Sequence, residues 1–256
     1  MPGGEGRDVL ERTFVHLPKV GPVTERRLWQ SGIRCWDDFL QAQRIPGISP
    51  QRAELCRRHL AEARRCLEAE DWRYFARCLP RGEHWRAYPN FRHRVAFLDI
   101  ETTGLAPPHR VTVVGLYDGL RTRTYVAKDN LDEFPEDISQ YSLLVTYNGA
   151  TFDLPFLRWQ FGGLPLDQIH VDLRYALARL GLRGGLKSIE ERLGLKRSER
   201  IAGLDGFDAV RLWHEYEAGN DESLALLIEY NTADIRNLEQ LMEFAYQGLL
   251  ARLEGN

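Results

Sequence analysis

The pattern of hydrophobic and polar residues changes near residue 95. Before that point, apolar residues recur at helical spacing between Gly and Pro turns, first in Leu17–Gln41 and then in the Arg-rich stretch that follows Pro46. Gly32 is expected to end the first of these helices. The pattern therefore predicts an all-α first part.

After residue 95 the pattern predicts strands and then helices. Strands are predicted at four short apolar runs: Val95–Ile100, Val111–Tyr117, Thr122–Lys128 and Leu143–Tyr147. Asp118-Gly119 is typical of a tight hairpin between the second and third strands. From about Phe152 onward helices dominate, and they end in a long one near Ser223–Tyr246. This order indicates an α/β fold with a mixed sheet flanked by helices.

The expected division is a helical N-terminal module over residues 1–90 and an α/β domain over residues 91–256. Cys78–Arg94 is rich in Pro, Gly and Arg and has no clear period, so we predict a linker there. Both helical stretches resemble helix–hairpin–helix elements, whose Gly-containing turn presents N–H groups to a phosphate. The turn of that family is Gly-x-Gly, and the turns Lys19-Val20-Gly21 and Gly47-Ile48-Ser49 each have one of its two glycines. Nucleic-acid contact and plain helical packing are both compatible with this module.

Charge is unevenly distributed along the chain. Residues 1–90 hold 16 Arg and Lys residues against 12 Asp and Glu residues, whereas the remainder holds 18 against 25. A mildly basic module beside an acidic one suits a nucleic-acid enzyme whose acidic part holds cations.

Several protein classes do not fit the sequence. No apolar run approaches the roughly 20 residues that span a bilayer, and the start, MPGGEGRD, lacks a secretion-signal pattern. The four cysteines are not spaced like paired Cys-x-x-Cys zinc ligands, so reduced thiols are expected, with an iron–sulfur cluster as the alternative. They are Cys35, Cys56, Cys66 and Cys78. We expect a cytoplasmic protein without a membrane partner.

Two carboxylates stand at the end of the first predicted strand, in the stretch VAFLDIETTGL. Side chains alternate along a strand, so Asp99 and Glu101 point to the same face. Two neighbouring carboxylates raise each other's pKa unless a cation lies between them. Oxygen-only ligands of this kind suit Mg²⁺ or Mn²⁺.

Two further stretches carry candidate residues. Asp153 precedes Pro155 and is expected near a helix N-terminus, where it is either a helix cap or a functional carboxylate. Tyr230 and Asp234 are four residues apart and share a helix face, as they also would in an ordinary amphipathic helix.

Together, DIETTGL, YNGATFDLPFL and YNTAD resemble the three motifs of the DEDD superfamily of 3′–5′ exonucleases, which have the ribonuclease H-like fold. The resemblance covers about residues 92–250. The chain resembles the Tyr subtype of this superfamily, because Tyr230 stands four residues before Asp234 and Glu229 stands where the other subtype has His. The chain is most similar to stand-alone bacterial ribonuclease H-like proteins related to the proofreading domain of family B DNA polymerases, which often carry a small helical N-terminal region.

The resemblance implies two Mg²⁺ or Mn²⁺ ions as cofactors. Asp99, Glu101 and Asp234 would hold one ion, Asp99 would bridge to the other, and Asp153 would bind that second ion partly through water. Two cations roughly 3.5–4 Å apart clamp the attacking and leaving oxygens of a phosphodiester. Tyr230 would orient the attacking water, because a phenol with a pKa near 10 suits positioning better than proton removal.

The resemblance also implies substrate contacts near the terminal nucleotide. These would be made by Thr103, Gly104, Leu105, Asn148 and Phe152. Leu105 and Phe152 are candidates for stacking on the terminal base, with a core position as the alternative for each. Lys187 and Ser188, at the start of a predicted helix, are expected to contact a phosphate through N–H groups, unless this is an ordinary surface helix start.

The expected function is metal-dependent 3′–5′ hydrolysis of single-stranded nucleic acid, DNA or RNA, with release of nucleoside 5′-monophosphates. One alternative is a catalytically weak binding or scaffold protein on the same fold, and another is a structure-specific endonuclease. The presence of all four carboxylates speaks against the first alternative. A helicase or polymerase partner stays open.

Overall fold

A computed structural model of the protein describes residues 9–106 and 108–255. The start of the chain, for which no secretion signal is predicted, lies outside the described residues. The helices that precede the first strand are α1 (Pro22–Gln30), α2 (Trp36–Gln41), α3 (Pro50–Glu68), α4 (Trp72–Cys78) and α5 (Tyr88–Phe91). The four cysteines are free thiols, and three of them are buried.

The two stretches predicted to resemble helix–hairpin–helix elements differ in the structure. The described residues before Pro22 form turns rather than a helix, so the first turn, Lys19-Val20-Gly21, has a helix on one side alone. The second turn, Gly47-Ile48-Ser49, lies between α2 and α3. Gly32 has a φ of 91° and follows the end of α1, as predicted.

The sheet has five strands and is mixed, which confirms the predicted fold class. The strands are β1 (Val95–Thr102), β2 (Val111–Tyr117), β3 (Thr122–Val126), β4 (Leu143–Thr146) and β5 (Ile169–Asp172). Their order is β3-β2-β1-β4-β5. The pairs β1–β2 and β2–β3 are antiparallel, whereas β1–β4 and β4–β5 are parallel. The carboxyl ends of β1, β4 and β5 therefore meet at one edge of the sheet.

A 3-10 helix (Leu131–Glu133) and six α-helices follow β3 in the described part of the chain. The α-helices are α6 (Phe134–Ile138), α7 (Asp153–Gln160), α8 (Leu173–Arg179), α9 (Leu186–Leu193), α10 (Gly206–Glu217) and α11 (Asp221–Glu254). Successive side chains of β1 point to opposite faces of the sheet. Phe97 packs with residues of α11 on one face, and Leu98 packs with residues of α6 and α7 on the other. No helix among the described residues is both long enough and apolar enough to cross a membrane.

The segment predicted to be a linker is packed instead. After α4 the chain forms a 3-10 helix (Arg81–Ala87), α5 and a second 3-10 helix (Arg92–Arg94). Trp85, Tyr88 and Phe91 are buried in the same hydrophobic cluster as residues of α3 and α11. Helices this short show no period in the sequence, and their aromatic side chains hold the segment in place.

A buried ion pair ties this segment to α1. Nη1 of Arg86 donates to both carboxylate oxygens of Glu25 at 3.0 Å, and both side chains are 2% exposed. Glu25 Oε1 also accepts from the backbone N–H of Phe14 at 2.6 Å and of Val15 at 3.2 Å. Because each charge is matched by several hydrogen bonds, the pair is tolerated in the interior.

Candidate active site

Strand β1 places two acidic side chains on the same face of the sheet. It extends two residues beyond its predicted end, so Asp99 and Glu101 both belong to the strand. Asp99 lies opposite Gly115 of β2, and a β-bulge follows at Glu101/Thr102. Bulges of this kind re-aim side chains beside active sites.

Helix α11 brings a third carboxylate to this face. One carboxylate oxygen from each of Asp99, Glu101 and Asp234 lies within 4.8 Å of the others. Glu101 and Asp234 are buried, and Tyr230, one turn before Asp234, is 7% exposed. Three of the four predicted carboxylates thus converge although they are far apart in sequence.

Asp153 borders the same pocket without joining this close group. It is the first residue of α7, as its position before Pro155 predicts, and it is 2% exposed. Its negative charge raises the pKa of both Asp99 and Glu101, so the Asp153 carboxylate is close enough to repel theirs. Its Oδ1 is buried without a hydrogen-bond partner among the described residues. An unpartnered carboxylate oxygen is free to accept a ligand or a bound water.

Burial and mutual repulsion disfavour charge in this pocket. Burial raises the pKa of Asp99 and Glu101 well above their usual values, and the neighbouring carboxylates raise it further. Burial likewise raises the pKa of Asp153 to about 7 and that of Asp234 to about 6. Four carboxylates therefore ionise together at neutral pH only when positive charge balances them.

An asparagine that the sequence analysis did not assign holds two of the carboxylates. Nδ2 of Asn231 donates to Asp99 Oδ2 at 2.9 Å and to Glu101 Oε1 at 3.4 Å. A Cβ on Gly115 would lie 1.9 Å from Asn231 Oδ1, so the glycine makes room for this side chain. Asn231 lies three residues before Asp234 on one helix face, which is the signal in the sequence that points to it.

A buried arginine balances Asp234. The guanidinium of Arg197 donates to Asp234 and also forms two hydrogen bonds of 2.8 Å with Glu190 of α9. Asn237 of α11 donates to the same glutamate at 2.9 Å. These neighbouring carboxylates raise the pKa of Arg197 against the effect of burial. No motif in the sequence marks Arg197 or Glu190, because their partners are distant along the chain.

Lys187 is the second cation at this pocket. Its Nζ is buried without a hydrogen-bond partner in the described part of the chain and lies 4.6 Å from the centre of the Tyr230 ring. Burial and the charge of Arg197 lower the pKa of Lys187. Ser188, the next residue, is exposed in the first turn of α9.

The other predicted substrate residues lie in two loops at the same edge of the sheet. Thr103, Gly104 and Leu105 follow β1, and Leu105 is 78% exposed rather than part of the core. Asn148 follows β4 with a φ of 67°, and its Oδ1 accepts from Arg174 at 2.5 Å. Phe152 is partly buried against Phe156, with ring centroids 5.6 Å apart.

The donor set fits a hard divalent cation. The converging ligand atoms are all carboxylate oxygens, which suit Mg²⁺ and Mn²⁺ rather than softer metals. The unpartnered Oδ1 of Asp153 supplies a further oxygen at the border of the pocket.

A comparison with protein-family models agrees with this fold. The model of the RNase_H superfamily family RNase_H_2 matches residues 96–246. A solved structure of the family B DNA polymerase from the hyperthermophilic archaeon Pyrobaculum calidifontis is 18% identical, with a TM-score of 0.43. The matched region covers 62% of this chain and 24% of the polymerase chain, so the chain spans less than a quarter of that polymerase. A comparison with curated proteins gave no match.

Proposed function

Because the chain belongs to the RNase H superfamily, we propose that it is a metal-dependent 3′–5′ exonuclease of the Tyr-type DEDD class, related to the proofreading domain of family B DNA polymerases. Its substrate is the 3′ end of single-stranded DNA or RNA, and its product is a nucleoside 5′-monophosphate. The observation that carries this proposal is the convergence of Asp99, Glu101 and Asp234 within 4.8 Å, with Asp153 at the border.

The carboxylates have the role of holding divalent cations. Asp99, Glu101 and Asp234 would bind one Mg²⁺ or Mn²⁺, and Asp153 would contribute to a second beside Asp99. When bound, such ions lower the pKa of a water and stabilise the charge that develops on the phosphate. Asn231 holds Asp99 and Glu101 in the orientation that this binding needs.

Tyr230 is proposed to position the attacking water. Burial and the charges of Asp234, Glu101 and Asp99 raise the pKa of its phenol, so the hydroxyl stays protonated and can donate or accept a hydrogen bond. A phenol in this state does not act as the general base.

The loops at the sheet edge are proposed to hold the terminal nucleotide. Leu105 is exposed enough to stack against a base, and Phe152 lies at the start of α7 beside Asp153. Lys187, whose Nζ lies 4.6 Å from the centre of the Tyr230 ring, is proposed to attract the phosphate through its positive charge.

The activity test uses oligonucleotides labelled at the 5′ end. Matched single-stranded DNA and RNA, with free or blocked 3′ ends, are incubated with the protein and Mn²⁺. We expect a ladder that shortens from free 3′ ends, nucleoside 5′-monophosphates as products, and no cleavage of a circular strand. Cleavage of the circle would identify an endonuclease, and binding without any product would identify a scaffold protein.

A substitution links this activity to the site. Asp99→Asn is expected to abolish hydrolysis, because it removes a carboxylate that would bind the metal ions. The protein should stay folded, because the substitution removes one negative charge from a group of carboxylates that repel one another. Titration with Mn²⁺, followed by electron paramagnetic resonance, is expected to show weaker binding to the same variant. Hydrolysis by Asp99→Asn at the wild-type rate would refute the site assignment.

A further inference from the structure

A cavity of about 850 Å³ lies beside the candidate active site, at the β5 edge of the sheet. One wall comes from α4 and the 3-10 helix Arg81–Ala87, and the other comes from α7 and α8. We call it the arginine cleft, because it is lined by Arg73, Arg77, Arg81, Arg158 and Arg179. A volume of this size is typical of a ligand site.

Positive charge dominates the walls of the arginine cleft. Against the five arginines stand Asp167 and Asp172, and Asp172 already accepts from the backbone N–H groups of Asn148, Ala150 and Arg174. The guanidinium groups of the three arginines from the first part of the chain are exposed and form no ion pair or hydrogen bond with any described residue. These are Arg73, Arg77 and Arg81. The guanidinium of Arg73 lies over the Trp72 ring, 4.3 Å from its centre, and a stacked guanidinium keeps the N–H donors at its edges. Guanidinium groups that share one concave surface without carboxylate partners are suited to a polyanion.

The arginine cleft also offers a stacking surface and unused polar groups. Tyr175, on α8, is 53% exposed although it is aromatic. Nε1 of Trp85 and Oε1 of Gln168 are buried without partners in the part of the chain that the structure describes, and both residues line the cleft. A buried donor and a buried acceptor of this kind are satisfied by ordered water that reaches them from the cleft.

The arginine cleft is connected to the carboxylates through α7. This helix begins with Asp153 at the pocket and carries Arg158 on the wall of the cleft, roughly 7 Å further along its axis. Ala150 and Thr151, in the loop before α7, line the cleft as well. A single-stranded nucleic acid whose 3′ end lies at the carboxylates therefore reaches the cleft within a few nucleotides.

We propose that the arginine cleft binds the phosphodiester backbone of single-stranded nucleic acid upstream of its 3′ end, with one base stacked on Tyr175. This inference rests on the proposed exonuclease function for the identity of the ligand. Guanidinium groups that follow a backbone and an aromatic ring that accepts any base are the features that bind single strands without regard to sequence. The helical first part would thus contact substrate through α4 and the 3-10 helix rather than through its Gly-containing turns.

The test compares two triple variants of the full chain. Arg73→Ala/Arg77→Ala/Arg81→Ala removes one wall of the cleft, and Arg27→Ala/Arg44→Ala/Arg58→Ala removes three exposed arginines elsewhere in the first part. Binding of a fluorescent single strand of about twelve nucleotides is measured by anisotropy in EDTA, so that no turnover occurs. We expect binding to weaken about tenfold or more in the cleft variant and less than about twofold in the control.

Two further measurements sharpen the result. The dependence of log Kd on log salt should become shallower by about 2 in the cleft variant, since roughly 0.7 of a counterion is released per phosphate contact on a single strand. Tyr175→Ala should weaken binding about fivefold or more. Equal losses in the two triple variants, or a free nucleotide that competes as well as the oligonucleotide, would overturn the proposal.

Hydrolysis separates this proposal from the proposed function. The cleft variant should hydrolyse a dinucleotide at close to the wild-type rate with Mn²⁺, because its three substituted arginines stand on the wall opposite α7, the helix that begins at Asp153. If the wild-type protein binds the strand through the cleft but hydrolyses nothing, the exonuclease proposal fails and the cleft stands. If the wild-type protein hydrolyses oligonucleotides and the cleft variant binds them with wild-type affinity, the cleft proposal fails and the exonuclease proposal stands.

Discussion

At the scale of single residues, the position of Asn231 depends on the glycine across from Asp99. Gly115→Ala would place a methyl group 1.9 Å from Asn231 Oδ1 and force that side chain away from Asp99 and Glu101. Hydrolysis is expected to fall by about a hundredfold, because a small displacement of catalytic groups has a cost of this size. Steady-state rates with a single-stranded oligonucleotide measure the effect.

The matched control for this substitution is Gly203→Ala. Gly203 has open space around its Cβ position, so the added methyl group meets no other atom. Equal rates for the two alanine variants would contradict the role assigned to Asn231.

Under the proposed function, Tyr230 positions the attacking water and does not accept its proton. Tyr230→Phe is expected to lower the maximal rate by about tenfold to a hundredfold, less than Asp99→Asn does, because the water keeps its other partners. The pH dependence of the remaining activity should keep its shape, since the phenol does not titrate in the working range. A wild-type rate would remove Tyr230 from the mechanism, and a displaced pH profile would make it a base.

The buried carboxyl of Asp153 makes metal-free stability depend on pH. Burial raises its pKa from 3.8 to about 7, so between these values the folded protein keeps a proton that the unfolded chain releases. This stabilising contribution is complete below pH 3.8 and is lost as pH rises through 7. Asp153→Asn should therefore raise the free energy of unfolding near pH 8 by at most about 4 kcal/mol and change it little near pH 4.

Urea unfolding in EDTA at several pH values tests this difference. Asp132→Asn, at an exposed position of the 3-10 helix Leu131–Glu133, serves as the control and should not reproduce this pH-dependent gain. An Asp153→Asn variant that is equally or less stable than wild type at both ends of the pH range would show that this carboxylate is not held in a charge-repelling site.

At the scale of elements, one ion pair fastens the 3-10 helix Arg81–Ala87 to α1. Arg86→Ala leaves Glu25 buried at 1% exposure without its cation, so the free energy of unfolding should fall by about 3–5 kcal/mol. The urea midpoint measures the loss. Glu25→Met combined with Arg86→Met should recover part of it, because no unpaired charge remains. A double variant less stable than Arg86→Ala would contradict this account.

The elements that the sequence predicts well are those with a long or regular pattern. Strand β2 has the predicted bounds, and α11 lies where the long final helix is predicted, although it runs from Asp221 to Glu254. Strand β5 has four residues, two of them polar, so its alternation is too short to identify. The short helices of residues 81–94 are held by aromatic side chains that contact distant elements, which no local pattern encodes.

The same distinction separates the parts of the site. The carboxylates are predictable because their spacing is local: two on one strand, and one on a helix face one turn after Tyr230. The network of Glu190, Arg197 and Asn237 joins three separate segments, so the sequence does not reveal it. Leu105, for which a core position is the alternative prediction, is exposed at the sheet edge.

At the scale of the whole molecule, the helical first part and the sheet share one hydrophobic core. Trp85 and Tyr88 both contact the ring of Tyr246 on α11, with centroids 6.0 and 5.9 Å apart. The hydroxyl of Tyr88 donates to Glu243 at 2.9 Å. The cluster that includes Trp85 and Tyr88 extends along the chain from Val9 to Leu249. The boundary predicted at residue 90 therefore crosses a packed interior.

This continuity predicts what happens when residues 1–90 are removed. The truncation exposes a face of α11 that carries Leu241, Met242, Ala245 and Leu249, all buried in the full chain. Each large apolar side chain contributes about 1.5–3 kcal/mol when it is buried, and a domain of this kind has a total stability of only about 5–15 kcal/mol. We expect residues 91–256 alone to aggregate or to melt without a cooperative transition, as measured by circular dichroism and light scattering. A cooperative melt at the midpoint of the full chain would refute this expectation. Because truncation removes the core together with the arginine cleft, the affinity of the first part for nucleic acid has to be measured with the point substitutions.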